Sequence, residues 1–131
     1  MTFYEFTKIK ERFFKKYRGL VKATYNDSYI KCLGLNDHGD VMVDSSRMYS
    51  IYASCVYPKF KLNKNDKIQL YDGEIVYYVQ ELKNTFHISC KKEISTRFRK
   101  HISPSHIMFI NDKPVYKISV IHSKLTQAAT R

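Results

Sequence analysis

Residues 67–71, Lys-Ile-Gln-Leu-Tyr, and 74–82, Glu-Ile-Val-Tyr-Tyr-Val-Gln-Glu-Leu, flank the pair Asp72-Gly73. Two β-rich runs around Asp-Gly are the strongest short hairpin signal a sequence offers, because both turn residues tolerate positive φ. A two-residue turn centred there sets Leu70 against Ile75, Ile68 against Tyr77 and Asp66 against Val79. In that register Ile68, Leu70, Ile75, Tyr77 and Val79 form one core-facing surface. Asn84 and Thr85 predict a second turn into 86–90, which extends the hairpin to a meander.

The elements before this hairpin differ in kind. Thr2-Phe3-Tyr4-Glu5 is a capping box, so a helix starts at the N-terminus. Phe6, Ile9, Phe13, Tyr17 and Leu20 fall near one stripe and Lys8, Arg12, Lys15 and Lys16 on another, with Gly19 as the expected stop. Runs 20–25, 29–35, 41–43 and 48–57 read as short strands, separated by Asn26-Asp27-Ser28 and by the turn chemistry of 36–40. Residues 91–102 read as a short cationic helix carrying Ile94 and Phe98, and Ser103-Pro104-Ser105 breaks it. Residues 107–110 and 115–121 around Asn111-Asp112-Lys113-Pro114 read as a final hairpin, followed by a loose polar tail from His122 to Arg131. The patterns after Asp72 and after Asp112 are alike, Val76-Tyr77-x-Val79 and Val115-Tyr116-x-Ile118, but so common a motif does not make a repeat.

The expected fold is α+β and a single domain over 1–131. It comprises an N-terminal amphipathic helix (1–19), a β-rich core (20–90) built as a small antiparallel SH3-like β-barrel or meander, and a basic region (91–131) with a short helix, a hairpin and a tail. With 131 residues and 44% hydrophobic content, the chain is long and apolar enough for one modest core. No run reaches the ~20 apolar residues of a membrane helix, and no secretory leader is recognisable, so the expectation is a soluble, unsecreted protein without a membrane partner.

Charge narrows the partner class. Lys and Arg number 23 against 12 Asp and Glu, a net +11, which favours a polyanionic or acidic partner. The excess is divided: +5 over residues 1–22, −2 over 23–82 and +8 over 83–131. Lys91, Lys92, Arg97, Arg99 and Lys100, interleaved with Phe98, form a second cationic group beside Lys8, Arg12, Lys15 and Lys16. Both suit phosphate contact without base reading, since neither an RNA-recognition aromatic pattern nor a helix-turn-helix is present. A solvated cationic face is the simpler reading of either.

Little else in the sequence carries chemistry. Cys32, Cys55 and Cys90 are odd in number and lack a C-x-x-C pair, so they read as small buried or half-buried thiols. His38, His87, His101, His106 and His122 make no metal-ligand spacing, and His87 and Cys90 fall on opposite faces of a strand. Asp37, Asp40 and Asp44 lack the rest of a calcium loop and read as turn residues. No Gly-rich phosphate loop is present, and neither a cofactor nor a metal is expected. The sharper candidate is Asp66 with Glu81 and Lys83, which the register above puts on one face near the open end of the hairpin. This constellation resembles the Asp, Glu-x-Lys core of the PD-(D/E)xK nucleases, in which two carboxylates hold magnesium and the lysine stabilises charge at the attacked phosphate. The usual proline before Asp is Asn65 here, and a charged hairpin mouth explains the same residues.

The stretch 52–93 runs as strand, Pro58, basic spacer, hairpin, meander turn and closing strand. It is similar to the small β-barrel half of phage head-completion (stopper, head-tail joining) proteins. That resemblance implies a non-enzymatic virion subunit assembled in the host cytoplasm. It further implies a homo-oligomeric ring that meets neighbouring virion proteins and lines exiting DNA with a basic surface. The alternatives are a magnesium-dependent nuclease using Asp66, Glu81 and Lys83, and a basic nucleic-acid-binding or inhibitor protein of a mobile element.

Overall fold

The structure, a computed structural model, describes residues 1–26, 28–45, 49–82, 85–89 and 99–117. It has the α+β composition expected: one helix, α1 (Phe3–Lys16), followed among the described residues by eleven strands in two antiparallel sheets. The first sheet holds β1 (Leu20–Ala23), β2 (Ile30–Leu35), β3 (Val41–Val43), β4 (Ser50–Ile51) and β5 (Val56–Pro58), in the order β4-β3-β2-β1-β5. The second holds β6 (Lys67–Leu70), β7 (Ile75–Leu82), β8 (Thr85–Ser89), β9 (Arg99–Ile102), β10 (Ile107–Ile110) and β11 (Lys113–Pro114), in the order β11-β10-β6-β7-β8-β9. Among the described residues these are two open sheets and not one closed barrel.

The connectivity of the first sheet recurs in the second. In each, four strands run as a meander, a 3-10 turn follows (Ala53–Cys55 or Pro104–His106), and the fifth strand returns to pair with the first. The register matches as well. Val21 pairs with Ile30 as Ile68 pairs with Val76, and a bulge falls between Cys32 and Gly34 as it does between Tyr78 and Gln80. β11 is an addition that only the second set carries. The recurrence joins β1–β5 to β6–β10, so it is not the similarity between the segments after Asp72 and Asp112.

α1 starts as its capping box dictates, with the Thr2 hydroxyl oxygen accepting from the Glu5 N–H at 3.0 Å and its O–H donating to Glu5 Oε1 at 3.1 Å. It ends at Lys16, with Tyr17 extended, and not at Gly19. Gly19 serves close approach instead: a Cβ there would collide with the Tyr17 ring, whose hydroxyl donates to Leu20 O at 3.1 Å. The buried stripe is Phe6, Lys10 and Phe14, with Ile9, Phe13 and Tyr17 half-buried beside it and Leu20 exposed. This face covers the first sheet through Val21, Cys32, Val41, Val43 and Val56. A second core of Ile68, Leu70, Val76, Ile88, Ile102 and Ile107 fills the other sheet, and Val115 packs against both.

Three further expectations need correction. The Asp72-Gly73 hairpin forms, but through a three-residue loop: Gly73 N–H donates to Leu70 O and Leu70 N–H to Glu74 O, at 3.0 and 2.9 Å. Gly73 alone takes positive φ (94°), while Asp72 uses its carboxylate to accept from Glu74 N–H at 3.0 Å. This is the turn-plus-bulge class. Ile68 therefore faces Val76, one residue away from the expected partner, and the slip reverses the faces of β7. Val76 is buried, whereas Ile75 is 44% exposed. Tertiary contact selects this loop, since Tyr71 stacks on Phe6 at 5.2 Å and donates its N–H to His106 O. The two-residue turn with positive φ at both positions occurs instead at Asn111 and Asp112, with φ of 50° and 67°.

The second correction concerns the basic segment. Arg99–Ile102 is strand β9, paired with β8, and not the end of a helix, because the meander needs its fourth strand there. The third is that β11 begins at Lys113, directly after the Asn111-Asp112 turn. The remainder of 91–102, namely 91–98, and the tail beyond Lys117 lie outside the described residues.

Candidate nucleic-acid interface

The outer face of α1 is the best-defined cationic surface. Burying Phe6, Lys10 and Phe14 turns Tyr4, Lys8, Arg12, Lys15 and Lys16 outward, and all five are exposed. Positions 4, 8, 12 and 15 or 16 line up along the axis at helical spacing, about 17 Å end to end at 1.5 Å per residue. Lys8 Nζ lies 3.2 Å from Glu11 Oε2 and 5.2 Å from the Tyr4 ring centroid. The Glu11 carboxylate, by hydrogen bond and charge, raises the Lys8 pKa above the ordinary lysine value. Arg12, Lys15 and Lys16 have no carboxylate partner among the described residues. Arg18 extends the strip past the helix end, its Nη1 donating to Lys15 O at 3.1 Å and Tyr17 O at 2.9 Å. Those carbonyls carry the negative end of the helix dipole, so the guanidinium is held there at low cost.

The second cationic group is only partly placed. Arg99 and Lys100 lie on β9, opposite Ser89 and Ile88, while Lys91, Lys92 and Arg97 fall outside the described residues.

The carboxylates of the nuclease-like constellation are each engaged elsewhere. Asp66 Oδ2 accepts from Asn63 N–H at 2.7 Å and Oδ1 from Asn111 Nδ2 at 3.0 Å, so this side chain ties its own turn to the β10–β11 hairpin. Its backbone faces Tyr78, one residue short of the expected Val79. Glu81 Oε1 lies 3.8 Å from Lys22 Nζ of the other sheet. Lys83 falls outside the described residues, and among those described no three His, Cys, Asp or Glu side chains gather to hold a metal. Asp37 and Asp40 belong to a turn organised by Asn36, whose Oδ1 accepts from His38 and Asp40 N–H at 2.9 and 3.0 Å. Cys32 is buried and Cys55 half-buried, both free.

Sequence reading missed Lys10, the most unusual residue in the structure. It is 1% exposed; its Nζ donates to Ser105 O at 3.1 Å and Ser54 O at 3.4 Å and sits 5.4 and 5.6 Å from the Phe6 and Tyr116 rings. Ser54 and Ser105 are the middle residues of the two 3-10 turns, so one ammonium joins equivalent points of both sheets. Burial brings its pKa down to about 7, slightly offset by Cys55. The same burial, aided by Lys10, lowers His106, against which Asp72 acts. The available signal was position: Lys10 is four residues from both Phe6 and Phe14, squarely on the apolar stripe. The hydroxyls of Tyr57 and Tyr116, both buried, have no hydrogen-bond partner among the described residues.

No protein-family model matches the chain, and comparison with curated proteins and with solved structures found no match. No helix among the described residues is long and apolar enough to cross a membrane.

Proposed function

We propose that the chain is a non-enzymatic assembly protein that contacts nucleic acid through the outer face of α1. The observation that carries this reading is the exposed line Tyr4, Lys8, Arg12, Lys15 and Lys16 on a helix whose opposite side is fixed in the core. Such a line suits phosphate neutralisation by counterion release, a contact that positions a protein on nucleic acid without itself carrying sequence information. The basic character of β9 supports a second contact of the same kind.

The setting we propose is a virion ring of the head–tail connector type, whose subunits carry in each five-strand set the strand order of a small SH3-like barrel. What supports the barrel reading is strand order: a four-strand meander, a 3-10 turn, and a fifth strand back on the first. What supports a ring is that β4 and β9 are terminal strands of their sheets among the described residues, and terminal strands invite pairing with another copy. The stretch resembling stopper proteins, 52–93, begins in the first sheet and extends past β8 of the second.

The test combines charge removal with oligomer mass. Replacing Lys8, Arg12, Lys15 and Lys16 together by Ala should lower the slope of log affinity for duplex DNA against log salt by about 0.9 for each phosphate that is no longer neutralised. Native mass spectrometry of the same variant should still show a closed ring. An unchanged salt slope removes α1 from the interface, and magnesium-dependent DNA cleavage abolished by Glu81→Ala replaces the proposal with the nuclease reading.

A further inference from the structure

Lys22 on β1 is the register partner of Tyr57 on β5, so both side chains leave the same face of the first sheet, opposite to Val21 and Ala23. That face meets the second sheet, and there a polar cluster forms. Lys22 Nζ and Lys59 Nζ each lie 5.5 Å from the Tyr29 ring centroid. Lys22 is 6% exposed and Tyr57 is 1% exposed, with a hydroxyl that has no hydrogen-bond partner among the described residues. The carboxylate near them is Glu81, 3.8 Å from Lys22 Nζ and 44% exposed. That separation is about 1 Å longer than a charge-assisted N–H···O bond.

We propose that this seam between the two sheets binds one oxyanion, a phosphate group, held by the ammonium groups of Lys22 and Lys59 and by the Tyr57 hydroxyl as donor. The chemistry is complementary in three respects. Two ammonium groups against one loosely paired carboxylate leave a local positive charge. A buried phenol without an acceptor carries a desolvation cost that an anionic oxygen removes. Glu81, 44% exposed, turns outward as the anion enters. Burial, Tyr29 and Glu81 all push the Tyr57 pKa up, so the phenol keeps the proton it would donate. The site is separate from α1 and does not depend on the function proposed above. The phosphate group comes either from free inorganic phosphate or from a phosphodiester of a nucleic acid.

Proton–nitrogen NMR of the full chain, titrated with sodium phosphate at constant ionic strength and with sodium chloride as control, tests the site. Saturable shifts are expected at Lys22, Tyr29, Tyr57 and Lys59 with phosphate and not with chloride. Tyr57→Phe and Lys59→Ala should each weaken binding about tenfold, the loss of one hydrogen bond or cation to an anion. Glu81→Gln, close in shape to the native side chain and checked for folding by its amide spectrum without phosphate, should tighten it several-fold by removing repulsion. Equal shifts with chloride, unchanged binding in Lys59→Ala, or weaker binding in Glu81→Gln would mean an adventitious ion only and overturn the proposal. A single-stranded oligonucleotide that shifts the same four residues in the Lys8/Arg12/Lys15/Lys16→Ala variant identifies the phosphodiester as the source; phosphate shifts alone identify the free anion. Failure of α1 to bind DNA leaves the phosphate titration unaffected.

Discussion

Lys10 gives the chain a pH response opposite to that of most proteins. Its folded pKa of about 7 lies below the 10.5 of an exposed lysine, so between those values the unfolded chain holds a proton that the folded chain has released. Stability then rises with pH, because proton uptake favours the unfolded state less and less as pH increases. The slope approaches about 1.4 kcal/mol per pH unit, and integration from pH 7 to 9 gives a gain of about 2 kcal/mol. Lys10 dominates this window. His106, also lowered, acts below it, and the buried tyrosines Tyr57 and Tyr116, raised from 10.0, act above it. Cys32, its thiol raised by burial from 9.0, acts in the opposite direction toward the top of the window. Lys10→Met keeps an unbranched side chain, one atom shorter, and removes the titration. Urea unfolding of both proteins at half-unit intervals from pH 7 to 9 should move the wild-type midpoint up by about 1 M, given slopes of about 1–3 kcal/mol/M, and leave the variant nearly flat. A wild-type midpoint that is constant or falls, in parallel with the variant, refutes the claim that the buried amine sheds its proton in the folded state.

Two further substitutions test the fold. Val76→Ala should cost about 2 kcal/mol by chemical denaturation while Ile75→Ala stays within about 0.5 kcal/mol, and the reverse order would restore the register expected from a two-residue turn. Thr2→Ala should lower stability by about 1 kcal/mol and lower hydrogen-exchange protection in the first turn of α1; no change would mean the cap is idle.

Much of the architecture was legible because local chemistry decides it. Thr2 and Glu5 set the helix start, Asp72-Gly73 and Asn111-Asp112 set hairpins, and the meander followed from β-branched runs between turns. What escaped was decided at a distance. The loop at 71–73 takes its extra residue because Tyr71 has an aromatic partner in Phe6, 65 residues earlier, and a one-residue change inverts every side chain on β7. Arg99–Ile102 looks like a cationic helix in isolation and becomes a strand because β8 offers it an edge. The recurrence of two five-strand sets was hidden because it is carried by pairing and bulge position, while loops of different length separate the equivalent residues. At the candidate site, the α1 cations were readable from helical spacing, whereas Lys22, Tyr57 and Glu81 come together only through sheet packing. Asp66 and Glu81, adjacent in an idealised hairpin, are drawn to Asn111 and Lys22 by the same packing.

The ammonium of Lys10 is satisfied only when both 3-10 turns are in place, since each supplies one carbonyl. Neither half of the chain is therefore an autonomous folding unit: β1–β5 with α1 would bury a half-solvated amine, and β6–β10 would lack the helix altogether. A molecule built from two similar sets should thus melt in one cooperative step, with no half-folded species for a protease to find.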